Sequence, residues 1–199
     1  FRKGQLVMFN LNFNPLAVVI AVIAVIIGFV ALSVIVMYNR FARQAQLVAE
    51  SWHGIDVELT RRHDLVPNLV RTVAQYSAYE SGLLDQLTRA RESAAGHRGD
   101  SPAVRAEFED QLGTAAASVV ARAEAYPDLK ASANFMALQA ELTNTEDRIA
   151  AARRFYNGNV RAYNTRVRTF PSNLIASLFK FVSKEFFEAD AAHRAVPSS

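Results

Sequence analysis

At 199 residues the chain is long enough for one ordinary domain and an appendage. Its formal charge of +3 is unevenly spread: residues 1–49 hold Arg2, Lys3, Arg40 and Arg43 and no acid, and the other 18 basic and 19 acidic residues leave the remainder at −1. A nearly neutral body argues against nucleic acid as a partner, and the absence of cysteine removes disulfides, thiolate catalysis and cysteine-based zinc sites.

Residues 1–15 form an N-terminal extramembrane segment. Within it Val7–Asn14, VMFNLNFN, alternates apolar and polar as a strand with one buried face would. A lone strand needs partners, so the expectation is a homo-oligomer or a place in a larger membrane-protein complex. Residues 16–37, LAVVIAVIAVIIGFVALSVIVM, carry no charge and one hydroxyl, Ser33. As a helix they would be about 33 Å long, enough for a hydrocarbon core of roughly 30 Å, whereas the apolar core of a secretory signal is about 7–15 residues. The run is therefore expected to be a single transmembrane helix with the lipid bilayer as its partner, bordered by Tyr38-Asn39-Arg40. Arg40 and Arg43 follow it closely, whereas Arg2 and Lys3 lie more than ten residues before its other end, so the small bias makes the cytoplasmic side of the membrane the expected place of the domain over 38–190.

Downstream, apolar residues recur every three or four positions and no strand-like alternation of useful length appears. The first series, Val48, Trp52, Ile55, Leu59, Val66, Leu69, Val73, Tyr76, Leu83 and Leu87, predicts one helix that starts almost where the span ends. It contains Arg61–Val70, RRHDLVPNLV. Pro67 deletes a backbone donor and crowds the carbonyl of His63, so a bend is expected there. Asn68 could satisfy carbonyls released by the bend, with Arg61, Arg62 and Asp64 on its flanks. Ala95–Asp100 is a loop, and a helix over 102–124 opens with Ser101-Pro102.

Tyr126-Pro127-Asp128 makes a tight connection, with Asp128 available to cap the next helix. The series Phe135, Leu138, Leu142, Thr145, Ile149, Ala152, Tyr156, Val160, Tyr163, Val167 is heptad-like with one stutter near Val160, and predicts a helix over about 130–168. Phe170-Pro171-Ser172 interrupts it. The stretch NLIASLFKFVSKEFFEA then places Ile175, Phe179, Val182 and Phe186 on one helical face, and residues 191–199 form a frayed tail. The fold expected is all-α: an N-terminal transmembrane helix, then an antiparallel bundle of three long helices and a shorter fourth.

Catalytic signatures are missing. His63-Asp64 resembles half of a two-metal phosphohydrolase site, and Glu50-Ser-Trp-His53 is one Glu-x-x-His. Both need ligands that His97 and His193 are not spaced to supply. GxGxxG, GxxxxGK[ST], GxSxG and HExxH do not occur. No catalytic residue, metal ligand or cofactor is assigned. Polar residues on the long helix are read as structural. Tyr156 and Tyr163 fall on the apolar stripe, where a buried hydroxyl needs a partner. Glu146 and Arg153, and likewise Asn157 and Asn164, lie seven apart and flank the stripe as buried bridges between helices.

Glu124-Ala-Tyr126-Pro127-Asp128-Leu-Lys-Ala, Asn134-Phe135, Thr145-Glu146, Ala152-Arg153, Tyr156-Asn157, Tyr163-Asn164 and Pro171-Ser172 together resemble the LemA family of bacterial membrane proteins. So do Ile55-Asp56-Val57, the stretch Arg61–Val70 with Asp64, Pro67 and Asn68, and a single span just before Tyr38-Asn39. The similarity covers roughly residues 16–188. It implies a membrane-anchored antiparallel helical bundle without established enzymatic activity. The family's tie to membrane proteases and envelope stress suggests membrane-protein quality control. The function expected is thus a non-enzymatic scaffold or adaptor that self-associates or binds another membrane protein. The alternatives are a membrane-surface-active module using the aromatic C-terminal helix, and an enzyme with an unrecognised site.

Overall fold

A computed structural model describes residues 15–76 and 81–188 of the chain. The expected strand over Val7–Asn14 and the tail over 191–199 lie outside the described residues. Most of those described are helical, with no strand among them: α1 (Pro15–Ala74), α2 (Ser81–Gly96), α3 (Pro102–Ala123), α4 (Pro127–Lys130), α5 (Ala133–Arg168) and α6 (Ser172–Leu178). The chain divides into two compact units, Phe1–Arg40 and Phe41–Ser199.

In the first unit, α1 presents its apolar side chains outward; Ile27 is 62 % and Phe29 71 % exposed. Its most apolar window has a mean hydropathy of 3.2, and the helix is long and apolar enough to cross a membrane. Ser33, its hydroxyl, donates to the Phe29 carbonyl at 2.8 Å, which satisfies the group without leaving the helix.

The second unit is a helical bundle. Glu58 meets Arg148, Trp52 meets Tyr156 and Phe41 meets Tyr163, so α1 and α5 run antiparallel. Asp56 pairs with Arg105 and Arg62 with Glu109, so α3 runs parallel to α1. The core joins Val66, Leu69 and Val73 of α1 to Leu84, Leu87 and Ala94 of α2, and to Leu112, Ala116 and Val119 of α3. Phe135 and Leu142 of α5 complete it. Each fully buried leucine here stabilises the fold by about 1.5–3 kcal/mol.

Three local expectations change. The first apolar series belongs to two helices, since α1 ends at Ala74 and α2 starts at Ser81. The step across the break, Tyr76 to Leu83, is seven, the same as Leu59 to Val66 inside α1, so periodicity could not reveal it. Asp128 lies in the first turn of the short α4 and does not cap α5, whose N-cap is Ser132. The fourth helix ends at Leu178; at Lys180 the backbone turns to a φ of 59°, and from Phe181 the chain leaves the helix. Ile175, Phe179, Val182 and Phe186 therefore share no face: Ile175 is buried, whereas Phe179 and Val182 are exposed.

Candidate functional site: a buried ionic cluster and a backbone clasp

The apolar stripe of α3 runs Ala106, Leu112, Ala116, Val119, Ala123, and two charged residues, Arg105 and Glu109, sit within it. Glu109 is fully buried. Its Oε2 accepts from Arg62 Nη2 at 2.5 Å, its Oε1 lies 3.0 Å from His63 Nε2, and its own carbonyl accepts from Arg62 Nη2 at 2.8 Å. Burial alone raises the Glu109 carboxyl, but the His63 hydrogen bond and then the charge and hydrogen bond of Arg62 outweigh it, and the group is held below its ordinary 4.5. An ionised carboxylate only accepts, so His63 Nε2 carries the proton of that bond.

Arg62 is 2 % exposed and spans three helices, because its Nη1 also reaches both Glu146 oxygens at 3.1 and 3.2 Å. Gly113 makes the passage possible: a Cβ there would lie 2.9 Å from Arg62 Nη1. Arg105, 3 % exposed, pairs with Asp56 at 2.5 Å and lies over the Trp52 ring at 5.3 Å. Every carboxylate oxygen of Glu109 is spent on holding α1 to α3. Among the described residues, no group of three His, Asp or Glu is gathered to hold a metal.

The second feature lies along α5. The Asn164 side chain donates from Nδ2 to the Lys184 carbonyl and accepts from the Lys184 N–H, both at 2.8 Å. Asn157 does the same with Phe187, donating at 3.3 Å and accepting at 2.9 Å. Between them Tyr156 donates from its hydroxyl to the Glu185 carbonyl at 2.9 Å. Burial, and then the nearby Glu185 charge, push that hydroxyl up to about 12, so it is a donor at neutral pH. Seven helical residues rise about 10.5 Å and three extended residues span about 10 Å, so the two asparagines match every third residue of an extended strap. The strap is anchored at its ends by rings: Phe181 stacks on Phe41 at 4.8 Å, and Phe187 meets Trp52 at 5.6 Å with Arg153 over its face.

The residues singled out from sequence distribute unevenly over these two features. Tyr156, Asn157, Tyr163 and Asn164 are buried in the clasp region, and burial raises the Tyr163 hydroxyl. Glu146 and Arg153 were expected as buried bridges. Glu146 bridges to Arg62 and Arg153 to Asp110, but their side chains are 44 % and 27 % exposed, and the buried acid is Glu109. Arg61 pairs with Glu141 at the surface, and Asp64 is exposed. Asn68 accepts from Arg71 at 3.3 Å and leaves the released carbonyl to another residue. Pro67 sits inside α1, Tyr126 and Pro127 start α4, and Asp128, Asn134 and Pro171 are exposed. Glu109, Arg105 and Asp110 escaped notice, although two charged residues on an apolar stripe are themselves a signal of buried pairing.

The sequence places the chain among known proteins. A model of the LemA family matches residues 51–198. The chain belongs to the LemA family. Protein LemA of Metamycoplasma hominis is 24 % identical over 156 residues, covering 78 % of this chain and 71 % of the relative. Magnetosome protein MamQ 2 of Paramagnetospirillum magneticum is 24 % identical over 198 residues, covering 87 % and 72 %. Magnetosome protein MamQ of Magnetospirillum gryphiswaldense is 21 % identical over 184 residues, covering 80 % and 68 %. The ionic cluster and the clasp both fall within the stretch that the LemA family model matches.

Proposed function

We propose that this LemA-family chain is a non-enzymatic, single-pass membrane scaffold or adaptor. Its helical domain lies on the cytoplasmic side, and it holds copies of itself or another membrane protein, in the manner of a quality-control adaptor. The observation that carries this is how the Arg62–Glu109–His63 cluster is used. Both oxygens of the buried acid are engaged in joining helices, so this carboxylate sets helix register and is closed to a substrate. A rigid bundle behind an apolar anchor suits presentation of surfaces.

The test is stoichiometry. The full-length protein, extracted in mild detergent, is sized by light scattering and its co-purifying proteins are quantified by mass spectrometry. A defined oligomer, or one membrane protein recovered in fixed ratio, is expected. A monomer without any fixed-ratio companion in several detergents and in nanodiscs overturns the proposal.

A further inference from the structure

The corner between α5 and α6 shows water apolar side chains that the core does not use. Phe170, Leu174, Leu178 and Val182 are 74, 59, 69 and 67 % exposed, whereas Ile175 and Ala176 of α6 are buried. Leu174 and Leu178, four apart, share one face of that helix. In the chain segment that carries them, up to Glu185, the charges have one sign. From Phe155 to Lys184 the charged side chains are Arg161, Arg166, Arg168, Lys180 and Lys184, with no acid.

The chain's own connectivity says which surface these residues meet. Phe41 lies against Tyr163 of α5 and Phe181 of the strap. Because α5 runs antiparallel to α1, it continues past Tyr163 to Arg168, about 7.5 Å further, on the side where the chain enters the domain. Phe41 follows Met37, the last residue of the apolar run, by four residues, or at most about 14 Å of extended chain. Wherever Leu16–Met37 crosses a bilayer, the chain tethers Phe41 within about 14 Å of the end of that run.

We infer that the α5–α6 corner is a binding surface for anionic lipid. Leu174, Leu178 and Phe170 enter the boundary between headgroups and acyl chains, and Arg168 and Lys180 meet the phosphates. Apolar insertion and basic charge together are what interfacial binding requires, and the charge acts only within a Debye length of about 8 Å. This rests on the membrane anchoring proposed above and adds a second, lipid-selective contact to it. Leu174 and Leu178 are not among the residues that sequence periodicity placed on one face, Ile175, Phe179, Val182 and Phe186.

A chain without cysteine permits single-cysteine probes. Full-length Leu178→Cys carrying a bimane fluorophore is placed in nanodiscs of phosphatidylcholine with brominated acyl chains, with or without phosphatidylglycerol. Ser118→Cys on the exposed side of α3 is the control, and circular dichroism checks that each variant keeps its helicity. Quenching at residue 178, absent at 118 and stronger with phosphatidylglycerol, is expected. In Arg168→Glu and Lys180→Glu the balance should shift towards the free state by about fivefold per basic charge removed. Equal quenching at the two sites, or quenching indifferent to both phosphatidylglycerol and the charge reversals, overturns the inference. So does protection of the 178 probe only in discs holding two copies, which would assign the surface to a second chain. Failure of the scaffold proposal is read separately, by stoichiometry, and leaves these outcomes unchanged.

Discussion

Arg91 donates from Nε to the carbonyl of His63 at 2.9 Å, and that carbonyl is the one that Pro67 cannot serve. In an unbroken helix the N–H of residue 67 would bond the carbonyl of residue 63; proline has no N–H to offer. The vacancy in α1 becomes an attachment point for α2. A hydrogen bond from a charged donor is worth about 1.5–3 kcal/mol, so Arg91→Met should destabilise the domain by that order. In a Pro67→Ala background, where a backbone donor is restored, the same change should cost clearly less. Thermal melting of the four proteins of this cycle checks the coupling, and equal losses in both backgrounds would rule it out.

Removing Glu109 and weakening Glu146 should have very different effects, although both acids touch Arg62. Glu109→Ala leaves Arg62 buried with its main partner gone, at about 3–5 kcal/mol. Glu146→Gln acts at a side chain that is 44 % exposed and should cost under about 1 kcal/mol. Arg62→Met combined with Glu109→Leu should recover much of the loss of either single change. Chemical denaturation of the detergent-solubilised protein ranks these variants and the two single changes of the combination.

The same acid sets the response to low pH. The Glu109 carboxyl titrates lower in the folded domain than its ordinary 4.5, so the unfolded chain takes up the proton first as pH falls. The stability contributed is complete above the unfolded value and drains away as pH drops below 4.5 towards the folded value. Melting temperatures across this acid range should fall less steeply in Glu109→Gln than in the parent.

Two glycines in helix interiors should respond to alanine with opposite signs. Gly158 has open space around a new Cβ, so Gly158→Ala should stabilise by about 0.5–1 kcal/mol. Gly113→Ala forces its methyl against an Arg62 guanidinium that Glu109 and Glu146 already hold, and overpacking of that kind costs about 1–3 kcal/mol. Paired melts decide it.

Hydrogen exchange reports on the clasp. Asn164→Leu removes the acceptor for the Lys184 N–H and the donor to its carbonyl, and Asn157→Leu does the same at Phe187. Losing two bonds of about 1 kcal/mol each should speed exchange at the matching amide by about tenfold or more, with the α2–α3 amides unchanged. Unaltered exchange at 184 and 187 would mean that packing of Phe181 and Phe187 alone holds the strap.

The contrast between α5 and the segment after it shows what the sequence made legible. A stripe of seven buried positions from Phe135 to Tyr163 is a local pattern, and local periodicity is enough to recognise a long helix. Phe179 to Phe187 has the same apolar content, yet its conformation is dictated by Asn157 and Asn164, more than twenty residues upstream in chain order for Phe187. No window of sequence contains both partners. Glu109 was hidden differently: its charge marks it as a surface residue until Arg62 and His63, 47 and 46 positions away, are brought to it.

The clasp also says which mutations this protein can absorb. Asn157 and Asn164 bond main-chain atoms of Lys184 and Phe187, and Asn157 donates further only to the Glu188 carboxylate at 3.0 Å, so they are indifferent to the side chains at 184 and 186. Substitution there is cheap. Gaining or losing a single residue between 184 and 187 is another matter. An added residue lengthens the strap by about 3.3 Å against a helix that cannot stretch, and one amide then faces a carbonyl with the wrong polarity or a ring out of place. Related chains should drift freely in spelling across this stretch while keeping its length.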